Sequence, residues 1–92
     1  MSGENTHSES REDRLKRLTM RSNRRGIKEM DIILGRFAQR ALAGLSAAEL
    51  DQYELLLGEN DNDLYQWVTE QKPTPERLVE LMDQVREIGA KF

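Results

Sequence analysis

One spacing constrains this chain more than anything else in it. Ile27, Met30, Leu34, Phe37 and Ala41 recur at intervals of three and four residues, with Ala38 and Leu42 widening the stripe. That is the pattern of a helix buried along one face. The same period returns at Leu50, Tyr53, Leu56 and Leu57, and at Leu64, Trp67 and Val68. It returns once more at Leu78, Leu81, Met82, Val85 and Ile88. No segment alternates apolar and polar residues as a half-buried strand does. The expected fold is therefore all-α, a small five-helix bundle. A chain of 92 residues has room for one domain, and its core is thin, since folding hides only about 60–65% of the surface of so short a chain. The polar, aperiodic residues 1–9 are expected to be a disordered tail, and residues 10–92 a single helical domain.

Local signals set the helix boundaries. Ser10 is a candidate N-cap, with Glu12 and Asp13 in the first turn, where the helix dipole favours anions. That first helix runs to about Met20 and has only Leu15 and Leu18 to anchor it. The second ends near Gly44. Ser46 and Glu49 have the spacing of a capping box, with Leu45 and Leu50 placed for a hydrophobic staple. Gly58 is expected to close the third helix in a left-handed conformation. The run Asn60–Asp63 opens a fourth. Thr74 as N-cap and Pro75 at the first helical position open a fifth, which lasts to Gly89. Trp67 fits either the core or a partner-facing anchor.

Charge is unevenly spread. Residues 1–10 carry −2, residues 11–28 carry +6 and residues 29–92 carry −7, for the net −3 of the whole. A basic segment on an acidic body suits nucleic acid or an acidic protein surface. Nucleic-acid modules, however, usually add a positive domain or aromatic stacking platforms, and no aromatic residue lies within residues 11–28. With no cysteine and a single histidine, His7, in the polar N-terminal run, thiol catalysis and a Ser-His-Asp site have no residues to work with. The glycines are scattered, so no loop cradles a phosphate. Asp61, Asn62 and Asp63 lack the glycine and glutamate of a calcium loop and read as helix-capping acids. The chain is expected not to be an enzyme and to hold no cofactor or metal of its own. No apolar run is long enough to insert in a membrane.

Local rules conflict at Ser22–Asp31. Arg24 and Arg25 sit where a helix begins, the end that disfavours cations, and Gly26 would cost about 1 kcal/mol inside a helix. Such conflicts often mark functional sites. On a helical wheel Arg25, Lys28, Glu29, Ile32 and Arg36 share the face opposite the core stripe, with Gly26 beside it. This is either a solvated face with an Arg25–Glu29 pair worth about 0.3–0.5 kcal/mol, or a partner surface. In either case, replacing Gly26 or Glu29 should cost little core packing.

These residues carry a resemblance. Arg25-Gly26-x-x-Glu29-x-Asp31 resembles the Arg-Gly-x-x-Glu signature of the FAD assembly factors of succinate dehydrogenase, the bacterial group related to mitochondrial assembly factor 2. The similarity continues to Phe37, resumes at Leu56-Leu57 and Asp61-x-Asp63-Leu64-x-x-Trp67, and reaches Lys72-Pro73. One departure is Gly58, where the family usually has glutamate. The resemblance implies a small helical protein that binds the flavoprotein subunit of succinate dehydrogenase or fumarate reductase and promotes covalent attachment of FAD to a histidine of that client. It implies a partner-binding site at Arg25, Gly26, Glu29 and Asp31, to which the helical-wheel face adds Lys28, Ile32 and Arg36. Arg25 would be a donor to client carboxylates or carbonyls, Gly26 the point of close approach, and Glu29 an acceptor. FAD would end on the client, and direct contact of this chain with FAD stays open. The free protein is expected to be a monomer that binds no nucleic acid and does not insert in a membrane. Four acids in residues 1–13 contrast with an acid-poor mitochondrial presequence, so a bacterial cytoplasmic location is expected. The competing reading is a nucleic-acid-binding module, or a generic helical adaptor, that uses residues 11–28.

Overall fold

A computed structural model describes residues 9–91. It contains five helices: α1 (Arg11–Ser22), α2 (Lys28–Ala41), α3 (Ala47–Leu57), α4 (Asp61–Val68) and α5 (Val79–Gln84). Among the described residues there is no strand. The expected tail lies outside the described residues except for Glu9, whose two carboxylate oxygens accept from Arg17 Nε at 2.8 Å and Nη2 at 2.9 Å.

Helix α2 is the central element. Its stripe is wider than the sequence pattern indicates, because Ile33 is buried along with Met30, Leu34, Phe37 and Ala38. The extra residue faces the chain's last turn. There Gly89 is buried, and a Cβ on it would collide with the Ile33 carbonyl oxygen. A π-helical turn over Val85–Gly89 brings that glycine against α2, so the helical period of α5 changes where the packing is closest. Helix α2 also packs against α1 and α4. Phe37 and Tyr53 stack with ring centroids 5.4 Å apart and planes tilted by 33°. Trp67 is 8% exposed and belongs to the core.

The N-terminal caps of three helices match their sequence signals. Ser10 accepts from the Asp13 amide at 3.0 Å. Ser46 Oγ accepts from the Glu49 amide at 3.1 Å while Glu49 Oε1 accepts from the Ser46 amide at 2.8 Å, and this second bond lowers the carboxyl pKa of Glu49. Asn60 accepts from the Asn62 amide at 2.8 Å. Other ends differ from expectation. Gly58 has φ −80°, so α3 closes without a left-handed residue. The left-handed residue among those described is Glu70, φ 62°, just after α4. Thr74 does not cap the fifth helix; its hydroxyl accepts from Arg86 Nη2 at 3.2 Å. That helix enters through a 3-10 turn at Glu76–Leu78 with Pro75 before it.

Helix α1 has the two expected leucine anchors, Leu18 buried and Leu15 half-buried against the core, and is held by more than them. The arginines between the apolar positions reach across to α3. Arg14 Nη2 lies 2.6 Å from Asp51 and 3.0 Å from Glu54, and Arg17 Nη1 lies 2.9 Å from Glu54. Arg11 donates to the carbonyls of Ala43 and Leu45 at 2.9 and 2.6 Å. The hydrogen bond from Arg17 holds the Glu54 carboxyl below the ordinary carboxylate range.

Candidate functional site

The conflict at Ser22–Asp31 is resolved by tertiary structure. Residues 23–27 form a loop, and α2 begins only at Lys28, with Ile27 as its extended N-cap residue. Arg25 therefore does not lie on the helix face with Glu29, and Gly26 carries no helix-interior cost. The Arg25 guanidinium turns inward and is satisfied on three sides. Nε donates to Asp61 Oδ1 at 2.7 Å, Nη1 to the Leu57 carbonyl at 2.8 Å and Nη2 to the Glu59 carbonyl at 3.1 Å. Leu57 is the last residue of α3, whose final carbonyls have no partner within the helix. Arg25 precedes one helix in sequence but sits at the C-terminus of another in space, where a cation is favoured. Its partner is Asp61, not Glu29, and the pair is nearly enclosed, with side-chain exposures of 10% and 15%.

The backbone of the loop is tied down as well. The Arg25 amide donates to Asp31 Oδ1, and the Gly26 amide donates to Asp61 Oδ2. A Cβ on Gly26 would come within 3.1 Å of that same Asp61 oxygen. That contact is tight, so a side chain here would have to displace the carboxylate by a few tenths of an ångström; backbone conformation makes no demand for glycine, since its φ is not positive. Any larger residue therefore presses on the carboxylate that holds Arg25, a cost separate from the core packing that the sequence pattern addressed.

Of the remaining candidate residues, all but the half-buried Arg36 face outward. Gly26, Lys28 and Glu29 are exposed, and Ile32 is 41% exposed, one of few large apolar side chains left on the surface. Glu29 has no ion-pair partner among the described residues. Ile32 separates two shallow hollows. One, about 370 Å³, is lined by Glu29, Ile32, Ile33, Tyr65, Val68, Thr69 and Ala90. The other, about 510 Å³, includes Asn23, Asp31, Ile32, Gly35 and Arg36. The structure thus divides the expected site into an inward part, Arg25 with Asp31, and an exposed part, Gly26, Lys28, Glu29 and Ile32, with Arg36 half-buried beside it. Asp61 is the residue that sequence reasoning assigned elsewhere, as a helix cap. The signal that could have found it was its place in the second block of the family resemblance.

Among the described residues, no group of three or more His, Cys, Asp or Glu side chains could hold a metal ion, and no helix is long and apolar enough to cross a membrane.

The profile of the family described as flavinator of succinate dehydrogenase matches residues 16–89. Several curated relatives are named succinate dehydrogenase assembly factor 2, mitochondrial. The one from Mycosarcoma maydis is 38% identical over 85 residues, covering 92% of this chain and 36% of the relative. That from Meyerozyma guilliermondii is 44% identical over 72 residues, 75% of this chain and 53% of the relative. That from Yarrowia lipolytica is 38% identical over 88 residues, 90% of this chain and 61% of the relative. The chain therefore spans roughly a third to three-fifths of the length of these relatives. Their mitochondrial names lend no support to the expected bacterial cytoplasm. The profile match runs from the middle of α1 to the glycine that packs against α2, through the whole loop-and-Asp61 arrangement, and the chain belongs to the succinate dehydrogenase flavinator family.

Proposed function

We propose that this protein is an assembly factor that binds the flavoprotein subunit of succinate dehydrogenase, and in some hosts that of fumarate reductase, and promotes covalent attachment of FAD to a histidine of that subunit. The observation that carries the reading is the family match over residues 16–89, joined to an exposed strip of Gly26, Lys28, Glu29 and Ile32 on one side of the molecule. The new bond joins a nitrogen of the client's histidine to the flavin methyl carbon in place of a methyl C–H. The flavin itself takes up the two electrons, with the protons lost from the methyl group and the imidazole. The first product is thus the reduced covalent flavin, and both reacting groups come from client and cofactor. The chemistry is largely that of the flavin. What a helper contributes is position: docking holds the client in a conformation with histidine and flavin aligned, which turns a rare encounter into a standing one.

On this reading the protein is not an enzyme with its own nucleophile and holds no FAD stably, and the free protein is a monomer. Glu29 offers a carboxylate to a donor on the client, Ile32 an apolar contact between two hollows, and Lys28 and Arg36 flanking positive charge. Use of the basic segment for nucleic acid is disfavoured by its internal engagements, since Arg11, Arg14, Arg17 and Arg25 all donate to groups of this same chain.

The test is covalent flavin on the succinate dehydrogenase flavoprotein subunit, read by in-gel fluorescence after co-expression with the wild-type chain, with Glu29→Ala, or with neither. The wild type should raise the signal several-fold. Glu29→Ala should fold and melt as the wild type does yet leave the signal near that without the chain. Full flavinylation with Glu29→Ala would remove Glu29 from the site. Equal signal with and without the wild-type chain would remove the function.

A further inference from the structure

We infer that Asp61 is a positioning residue of the candidate docking site. With Arg25 turned inward onto it, Asp61 sets the backbone of residues 24–27 and thereby how Gly26, Lys28 and Glu29 meet a partner. The inference rests on the proposed function for the identity of that partner, and on geometry alone for what Asp61 does to the loop.

Both oxygens of one carboxylate serve two consecutive residues of the loop: Oδ1 accepts from the Arg25 side chain and Oδ2 from the Gly26 amide. The rest of the segment is held by the Arg25 amide on Asp31 Oδ1, by the Arg24 amide on the Arg21 carbonyl and by the Arg25 guanidinium on the Leu57 and Glu59 carbonyls, so at Gly26 the Asp61 carboxylate is the backbone's tie. Arg24 and Gly26 are exposed, Ile27 is half-buried, and the α2 N-terminus has no side-chain cap. The carboxylate itself is well placed to act as an anchor. It sits at the first residue of α4, a helix whose Leu64, Trp67 and Val68 are fixed in the core. A core helix is thus coupled to a surface loop through one side chain.

The same geometry assigns Arg25 an inward part. Its guanidinium is 10% exposed and already bonded to Asp61 and to the carbonyls of Leu57 and Glu59. Arg25 acts through Asp61 and leaves contact with the partner to its neighbours. Gly26 follows from the same arrangement, because only a residue without a side chain lets the carboxylate reach the amide unhindered.

The experiment compares the 92-residue wild type with Asp61→Asn and Asp61→Glu. Asparagine keeps an oxygen for Arg25 Nε but turns an NH2 toward the Gly26 amide, donor against donor. Glutamate keeps the carboxylate and displaces it by one methylene. Two quantities are measured below the melting transition. One is the Gly26 amide, by proton–nitrogen shift and hydrogen exchange; the other is affinity for the purified flavoprotein subunit of succinate dehydrogenase, by calorimetry.

In Asp61→Asn the amides of Leu34, Phe37 and Tyr53 should stay where they are, while the Gly26 amide moves upfield and exchanges faster. Affinity should fall about tenfold or more, or about 1.4 kcal/mol. Asp61→Glu should lie between the two on both measures, so that affinity tracks the Gly26 amide across the series. If Asp61→Asn does not fold, the wild type and Asp61→Glu still decide that correlation. A displaced Gly26 amide with wild-type affinity would overturn the inference, as would a Gly26 amide that Asp61→Asn leaves unmoved. Failure of the wild type itself to bind the subunit would instead refute the proposed function, and the Gly26 amide alone would then decide whether Asp61 holds the loop.

Discussion

The hydroxyl of Ser22 has one proton and two neighbours. It is fully buried, donates to the Leu18 carbonyl at 2.8 Å and lies 2.5 Å from the Tyr53 hydroxyl. With the serine proton already committed, Tyr53 is the donor to Ser22. Burial also pushes the phenol up to about 12, so it stays a neutral donor across the physiological range. The two partners are therefore unequal. Tyr53→Phe removes a hydrogen bond and orphans nothing, at about 0.5–1.5 kcal/mol. Ser22→Ala strands a phenolic O–H in the core, at about 1–3 kcal/mol. Denaturant unfolding of both variants should find the serine change the more damaging, and the opposite order would reverse the donor assignment.

At the scale of elements, the ends of helices vary more than their middles. Helix α4 ends with Glu70 in a left-handed conformation, and the amides of Gln71 and Lys72 then close back onto the Gln66 carbonyl at 2.8 and 3.2 Å. This is where glycine usually sits. A non-glycine residue there is strained by about 1–2 kcal/mol, partly offset because glycine brings more entropy to the unfolded chain. Glu70→Gly should stabilise the protein by about 0.5–1 kcal/mol, read as a rise in melting temperature. The Glu70 side chain is exposed, so its removal leaves the core packing intact and the gain unmasked.

At the scale of the whole molecule, the uneven charge closes on itself. The basic α1 meets the acidic α3 through Arg14, Arg17, Asp51 and Glu54, with Glu9 completing the group. The hydrogen bonds from Arg17 and then Arg14 lower the Glu54 carboxyl from its ordinary 4.5. A depressed carboxyl stabilises the fold at pH values above the unfolded-state pKa, and that contribution is lost as the pH falls through the lower, folded-state value. Melting temperature should therefore hold steady from neutral pH down to about 5 and fall below it. The difference between wild type and Glu54→Gln should shrink over the same acidic interval. A constant difference between them down to about pH 3 would mean that Glu54 acts through packing, not charge.

What the sequence by itself determined was whatever depends on neighbours within about one helical turn. The five helices, the core stripe of α2, the serine and asparagine caps and the capping box at Ser46 were all legible, because each is made by residues a few positions apart. The exposed position of Ile32 was legible for the same reason. The family could be read from blocks such as Arg25–Asp31 and Asp61–Trp67, whose order and spacing survive without a structure. Tertiary structure alone decided what those blocks do to each other. Whether Arg25 faces a partner or its own fold depends on a carboxylate 36 residues away, and a helical wheel holds no such information. Glycine shows the same division. Gly58 looked like a left-handed terminator and is not one, while Gly89 is required by a backbone oxygen from another part of the chain and Gly26 is crowded by a side-chain oxygen from another. A local pattern can say where a side chain is missing; only packing says what comes close enough to need it gone.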